Sequence, residues 1–387
     1  MTTETSSRRA MYDQILSQPA LLLDVCVQAE PLVQQALAQV QAPTWQAVYT
    51  AGCGDSFYAG LACELAFARF CRLPVKALPA MQFARYEAAN LPVQAGVFGI
   101  SNSGAVSRSI EAVAMARAAG ADTIAVTGNA GSPIAQEAAA AVAVPISPMG
   151  RSPGIRSYTV QLVTLFLCAI RLGELRQVLS ASEATAWRQR LQAVAACMEA
   201  TIQASDARMR QLAEHLHDQD NWLFVGSGPG YATALFCAAK LVESCGANAW
   251  AQDIEEWAHI QFFNRQEHTP TCLLIPRGPS MSRAQELLPY IQQLGRHTFV
   301  VTSEAQGFQM TPTDSILPVS QPVPEVFAPL VYCLAAELLA YYLAEVWDTQ
   351  FFTATRCGVT PGGDRLRGSG ILNDLAALHE LQDEPHG

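Results

Sequence analysis

An α/β protein built twice on a parallel sheet is the class this sequence predicts, and three observations predict it. The run Val48-Tyr49-Thr50-Ala51-Gly52-Cys53-Gly54-Asp55-Ser56 has a counterpart in Leu223-Phe224-Val225-Gly226-Ser227-Gly228-Pro229-Gly230-Tyr231. Gly52 and Gly226 lie 174 positions apart (226 − 52), and the pairs Gly120/Gly295 and Thr127/Thr302 are offset by 175 (295 − 120, 302 − 127). Short β-rich runs alternate with helical ones in both halves, which implies parallel strands joined by right-handed crossovers. A repeat this long is a duplicated domain, not a solenoid period. Positions where the copies diverge then point to chemistry.

Taken in order, residues 1–40 form a helical lead-in. Thr2 to Arg9 reads as a frayed tail, and Met11 to Gln41 as an amphipathic helix interrupted near Gln18-Pro19 and Glu30-Pro31. The first module, 41–175, predicts a strand at Ala47–Thr50, a helix at Ser56–Phe70, and a strand at Val97–Ile100. A helix at Ser107–Ala119, a strand at Asp122–Thr127, a short helix at Ile134–Ala139 and a strand at Ala141–Ile146 follow. A helical connector, 176–220, belongs to a longer helix-rich stretch from Ser157 to Gln219 that is broken at Gly173 and around Ser180–Ser182. The second module, 221–350, repeats the order from Trp222. The tail, 351–387, is rich in Gly, Arg and Pro; it is expected to fold over a site and to be disordered from His379 onward.

Composition excludes several classes. Half of the 387 residues are apolar and only 15% are charged, as in an ordered globular protein. The net charge of −10 argues against nucleic acid or an anionic membrane as partner. The eleven cysteines show no CxxC pair and no metal-spaced cluster, so no metal site is expected and a reducing, cytoplasmic setting is. Cys63, Cys168, Cys237 and Cys333 sit in apolar contexts, where cysteine acts as a small hydrophobe. Met1 to Arg9 has no apolar signal core, and Pro329–Trp347 contains Glu337 and Glu345, which favours a buried helix over a membrane span. Lys76 and Lys240 are the only lysines.

Two segments carry chemistry. Ser101-Asn102-Ser103-Gly104 follows a buried strand and precedes a helix, so its hydroxyls and N–H groups are suited to cradle an anion. Ser56 and Ser107 head nearby helices and extend the cradle; plain N-capping explains the same residue types. Lys240 and Glu243, three apart, share a helical face, so the ammonium would hold the carboxylate ionised as a base. His259 adds a group that titrates near neutrality. The first copy has Arg69 and Arg85 at the corresponding positions (243 − 174, 259 − 174). The bland alternatives are a surface ion pair and a capping or core histidine. A dinucleotide reading of Gly226-Ser227-Gly228-Pro229-Gly230 fails on glycine spacing, and no acidic residue is evident at the end of a following second strand.

Together these residues resemble the sugar isomerase (SIS) family of phosphosugar-binding domains, from about Met11 to Gly370. The likeness is to the isomerase half of glutamine–fructose-6-phosphate transaminase and to glutamine-independent deglycases and glucosamine-6-phosphate deaminases. Ser101–Gly104 is similar to the family's phosphate loop, Ile124–Thr127 with Ser132–Ala135 to its continuation, and Gly154–Leu162 to its substrate loop. The resemblance implies two tandem flavodoxin-like domains, each a three-layer α/β/α sandwich around a parallel five-stranded sheet. It implies a homodimer with its site at the subunit interface and no metal or redox cofactor. The anion-binding residues it implies are Cys53, Gly54, Ser56, Ser101, Asn102, Ser103, Ser107, Arg156 and Arg367. His259 would open the cyclic sugar, Glu243 would shuttle a proton between C1 and C2, and Lys240 would keep that carboxylate charged.

Departures are visible too. Val106 stands where the family has threonine, Ile260-Gln261 where it has Gly-Pro, and Arg365 and Arg367 where it has a C-terminal lysine. An arginine grips anions but forms no imine. No nucleophilic cysteine heads the chain, so no glutamine amidotransferase activity is expected. The expected activity is aldose–ketose isomerisation or deamination of an anionic sugar. The alternatives are a deglycase releasing an amino acid from a sugar-phosphate conjugate, and a non-catalytic sugar-phosphate sensor.

Overall fold

The computed structural model describes residues 3–266, 268–311, 315–353 and 370–382. It contains two parallel five-stranded sheets. The first comprises β1 (Ala47–Gly52), β2 (Val75–Pro79), β3 (Ala95–Ser101), β4 (Asp122–Thr127) and β5 (Ala140–Ala143), in the order β2-β1-β3-β4-β5. The second comprises β6 (Asn221–Gly226), β7 (Asn248–Asp253), β8 (Thr271–Leu274), β9 (Thr298–Thr302) and β10 (Ser315–Pro318), in the order β10-β9-β8-β6-β7. Counted within each repeat, both read 2-1-3-4-5, which is the flavodoxin-like order and not that of a dinucleotide-binding fold.

The duplication is carried in the register. Gly52 pairs with Pro79 and Gly226 with Asp253, each partner 27 residues on (79 − 52, 253 − 226). Gly99 and Leu273 hold matching places beside Ala51 and Val225. The turns agree as well: Gly54 has φ 54°, ψ −126°, and Gly228 has φ 53°, ψ −129°. A residue with a Cβ avoids that region, so glycine recurs at both. Every position of β3 is buried, as expected of a central parallel strand.

Contacts divide the chain into two compact units. One holds Leu22–Ser147, Ser157–Gln192 and Gly362–Gly387, and carries the first sheet. Its helices include α2 (Asp55–Ala62), α3 (Glu64–Cys71), α4 (Ser107–Ala118), α5 (Pro133–Glu137) and most of α6 (Arg156–Leu175). One of its cores packs Phe83, Val97 and Met115 with Leu378. The other unit holds Met1–Leu21, Pro148–Arg156 and Ala193–Pro361, and carries the second sheet. It contains α8 (Pro229–Cys245), α9 (Ile254–His259), α10 (Met281–Gln293) and α11 (Leu334–Val346). One of its cores gathers Leu223, Ile254, Trp257, Leu287 and Val300. Helices α1 (Thr3–Ala38) and α7 (Ala181–His215) each contribute to both units.

Several expectations are corrected. Helix α1 starts at Thr3 and runs unbroken through Pro19 and Pro31, because Met11, Ile15, Val25, Ala29 and Val33 bury one face almost completely. The carbonyl of Ile15, which Pro19 cannot bond, accepts from Gln18 Nε2 at 3.5 Å. The helix expected over Ser56–Phe70 is split at Cys63, whose N–H is shared between the carbonyls of Ala59 and Gly60. Gly173 does not break α6; it lets the Phe70 carbonyl lie 2.4 Å from where a Cβ would stand. The strand expected to reach Ile146 stops at Ala143. His379 lies inside α12 (Leu375–Gln382), which Leu378 anchors in the first-sheet core at 3% exposure. Asp253 does end the second strand of the second repeat, although its carboxylate is engaged locally.

Arg156–Leu175 and Pro329–Val346 are each long and apolar enough to cross a membrane, but 83% and 89% of their apolar windows are already buried in protein. Among the described residues, ten cysteines are free thiols. Burial pushes the thiols of Cys26, Cys71, Cys245 and Cys272 up to about 12.

Candidate functional site

In a 2-1-3-4-5 sheet the strand order reverses between the first and third strands, and the loops leaving their C-terminal ends border a natural crevice. In the first repeat these are Cys53-Gly54 after β1 and Asn102-Ser103-Gly104 after β3. Ser101, at the end of β3, is 2% exposed and its hydroxyl accepts from Gly104 N–H at 3.2 Å. Ser103 accepts from Ala105 N–H at 3.3 Å. The Asn102 carbonyl accepts from Gly128 N–H at 2.9 Å and from Thr127 Oγ1 at 3.3 Å, which ties the loop to the end of β4. The Asn102 and Ser103 side chains stay exposed.

Gly104 turns the loop at φ 67°, and a Cβ there would lie 2.1 Å from Ser132 Oγ. Helix α4 then opens at Ser107 (8% exposed) with Val106 as its N-cap, which has no side-chain capping bond to give. The hydroxyls before it therefore shape a loop; they do not cap a helix. Ser56, near the start of α2, is 9% exposed and accepts from Gln161 Nε2 of α6 at 3.0 Å. Cys53 is half-buried beside Ser109 Oγ at 3.9 Å, and desolvation holds its thiol above its ordinary range. Arg156 heads α6, half-buried. Arg367 lies outside the described residues.

The first repeat also holds a charge cluster that the sequence pattern did not single out. Glu111 on α4 has no exposed side-chain surface and is paired with Arg108, one turn earlier, and with Arg85 at 2.7 Å. A buried carboxylate requires such partners, and the pair of arginines fixes the start of α4 next to the cradle. The i,i+3 spacing of Arg108 and Glu111 was the available signal.

The matching loop of the second repeat has a different make-up. Counting 174 from Ser101–Gly104 gives Ile275-Pro276-Arg277-Gly278, which has no hydroxyl and a proline with no N–H to offer. A Cβ on Gly278 would meet Glu325 Oε1 at 2.4 Å, so a resident carboxylate already lies against this turn. Arg277 pairs with Glu304 at 3.1 Å. The hydroxyl-rich loop thus belongs to one copy.

The second repeat carries acid–base groups instead. Lys240 on α8 has no exposed surface, and its Nζ donates to Glu243 Oε2 at 2.6 Å. The same ammonium lies 4.8 Å from the Phe236 ring centroid, one turn back. A desolvated cation needs both kinds of partner. Glu243 is 32% exposed, so one carboxylate bridges a buried charge and solvent. This is not the exposed surface pair of the bland reading.

His259 lies at the end of α9 with 67% of its side chain exposed, neither a core nor a capping residue, and its Nε2 is 3.4 Å from Glu255 Oε1. Glu255 also accepts from Arg283 on α10, Nε at 2.6 Å and Nη2 at 3.2 Å, and this pairing holds its carboxyl below the usual range. Asp253 caps α9, accepting from Glu255 N–H at 2.9 Å and from Ser227 Oγ at 2.6 Å. Asp253, Glu255 and Arg283 were not anticipated. An N-cap residue before Ile254 and an i,i+4 Glu–His spacing were the readable signals. The structure thus brings Lys240 and Glu243 together and places His259 on a separate short helix.

Residues 44–171 match the SIS domain family. The glutamine–fructose-6-phosphate aminotransferase (isomerizing) of Bradyrhizobium diazoefficiens is 26% identical over 305 residues, covering 79% of this chain and 50% of that protein. The protein of the same description from Pyrococcus horikoshii is 25% identical over 339 residues, covering 86% and 54%. The chain therefore spans about half the length of the curated relatives it matches. Among solved structures, the C-terminal domain of glucosamine-fructose-6-phosphate aminotransferase from Francisella tularensis superposes with a TM-score of 0.78 at 18% identity, covering 88% of this chain and 97% of that one. Glucosamine-6-phosphate deaminase from Thermotoga maritima gives 0.70 at 17%, covering 88% and 96%. At such identities the structural likeness speaks for the fold, and it extends over both repeats. Residues 44–171 are thus an SIS domain, and the second repeat shares its strand order.

Proposed function

We propose that this protein is an enzyme acting on a phosphorylated sugar, moving a proton between C1 and C2 in an isomerisation or deamination. The observation that carries the reading is the fully buried Lys240 donating to a half-exposed Glu243 at 2.6 Å. A carboxylate so placed is charged, oriented and reachable by a ligand, as a general base must be. The loop Ser101–Gly104, with Ser56 and Ser107, is assigned to the anionic group, because hydroxyls and N–H groups at a sheet's switch point solvate an anion without a counter-cation. Arg156 and Arg367 are assigned to the same anion as bidentate donors. His259 is assigned to opening the sugar ring, a proton transfer at the ring oxygen. Names of the relatives, which include fructose 6-phosphate and glucosamine 6-phosphate, support a hexose phosphate as substrate class. Release of an amino acid from a sugar-phosphate conjugate uses the same proton transfer and belongs to the same proposal. The exposed side chains of Ile260 and Phe263 beside His259 support pairing with a second copy near this group.

The test is solvent-deuterium exchange at C1 or C2 of fructose 6-phosphate, followed by NMR. Wild type should exchange and Glu243→Gln should not, while binding of the sugar stays within severalfold. Exchange that persists in Glu243→Gln removes Glu243 from the chemistry. Binding without any exchange by wild type makes the protein a sensor.

A further inference from the structure

The two repeats place comparable charges around the segment after their second strand, yet they use them differently. In the first, Arg85 docks directly on the buried Glu111. Position 259 corresponds to 85 (259 − 174), and Arg283 and Glu286 correspond to Arg108 and Glu111 (283 − 108 = 286 − 111 = 175). In the second repeat the Arg–Glu pair persists, with Arg283 Nη1 at 2.9 Å from Glu286. At the place of the docking arginine stands His259, and Glu255, where the first repeat has Met81 (255 − 174), contacts both it and Arg283. Glu255 accepts two bonds from Arg283, one through each oxygen, and offers Oε1 to His259 Nε2 at 3.4 Å.

The backbone carrying Glu255 and His259 is fixed as well. Asp253 caps α9 and is held by Ser227 Oγ; the first repeat has Cys53 and Pro79 at these two places (227 − 174, 253 − 174) and so lacks the link. We infer that Glu255, clamped by Arg283, is a positioning residue that holds His259 by its Nε2–H and leaves Nδ1 as the nitrogen that exchanges a proton with the sugar ring. An imidazole whose one nitrogen donates to a carboxylate presents the other as acceptor. The inference rests on the ring-opening role proposed above for His259.

Exposure decides what kind of contribution this is. Glu255 and Arg283 are 50% and 38% exposed, so their pairing adds little to stability. Orientation of a proton-transferring group is another matter, because a displacement of about 1 Å is enough to cost up to about 100-fold in rate.

The experiment uses two sugars in the deuterium-exchange assay, fructose 6-phosphate and its 5-deoxy analogue, which has no hydroxyl placed to close a five-membered ring. Glu255→Ala is expected to slow exchange on fructose 6-phosphate about 10- to 100-fold and to leave the open-chain analogue within about twofold of wild type. Glu255→Gln, which keeps an acceptor oxygen, should recover most of the rate. Equal losses on both sugars mean a merely structural role and overturn the inference. No loss on either overturns it too, as does a wild type that exchanges the cyclic sugar alone. A wild type that exchanges neither sugar overturns the proposed function itself, which separates the two failures.

Discussion

Lys240, with no surface exposed, donates to Glu243 across 2.6 Å from one turn earlier on the same helix. Removing either partner leaves a different problem behind. Glu243→Gln keeps the shape and an acceptor oxygen but strips the charge that compensates the ammonium. It should abolish exchange at C1 or C2 and cost about 1–3 kcal/mol of stability, measured by urea unfolding.

Lys240→Met removes the buried charge altogether and fills the space with a flexible apolar chain. Replacing one buried charge leaves Glu243 with its solvent contact, so folding should be retained while exchange falls by about tenfold or more. A variant as active as wild type would show that Lys240 only packs.

Gly104→Ala forces a Cβ to within 2.1 Å of Ser132 Oγ on a backbone at φ 67°. The loop must move, so affinity for a sugar phosphate, read by calorimetry, should fall about tenfold or more, with proton exchange at saturating sugar largely preserved. Ser101→Ala should act in the same direction more weakly.

Arg283 holds the Glu255 carboxyl below its ordinary value near 4.5. A depressed value stabilises the fold only above the unfolded-state value and loses that contribution as pH falls through the folded one. Stability of wild type and Arg283→Gln should therefore run parallel from pH 5 to 8 and converge in acid. A gap that opens between pH 6 and 7 would assign the linkage to a histidine.

Leu378 is 3% exposed against Phe83, Val97 and Met115. Leu378→Ala should cost about 2–5 kcal/mol, and limited proteolysis should then release the C-terminal segment first.

Legibility from sequence followed burial. Asp122–Thr127 was bounded at both ends, because buried β-branched residues with a glycine before them and a turn after leave few alternatives. The edge strands Val75–Pro79 and Asn248–Asp253 were not delimited: they carry Lys76, Asn248 and Gln252 on exposed or half-exposed positions and show no apolar run. The prolines of α1 signalled interruptions that its buried stripe overrode. For the site, the i,i+3 pairing of Lys240 and Glu243 was legible because helical geometry fixes it. Glu111 with Arg85, and Arg283 with Glu255, needed the fold, since their partners lie 26 and 28 positions apart.

The matched turns at Gly54 and Gly228 mean that the duplicated scaffolds remain interchangeable in outline while their contents do not. Engineering follows from this. Grafting Ser-Asn-Ser-Gly onto positions 275–278 restores hydroxyls and one N–H, but the Glu325 carboxylate already facing Gly278 would repel an incoming phosphate. A symmetric, two-handed version of this protein therefore requires that glutamate to be removed together with the transplant.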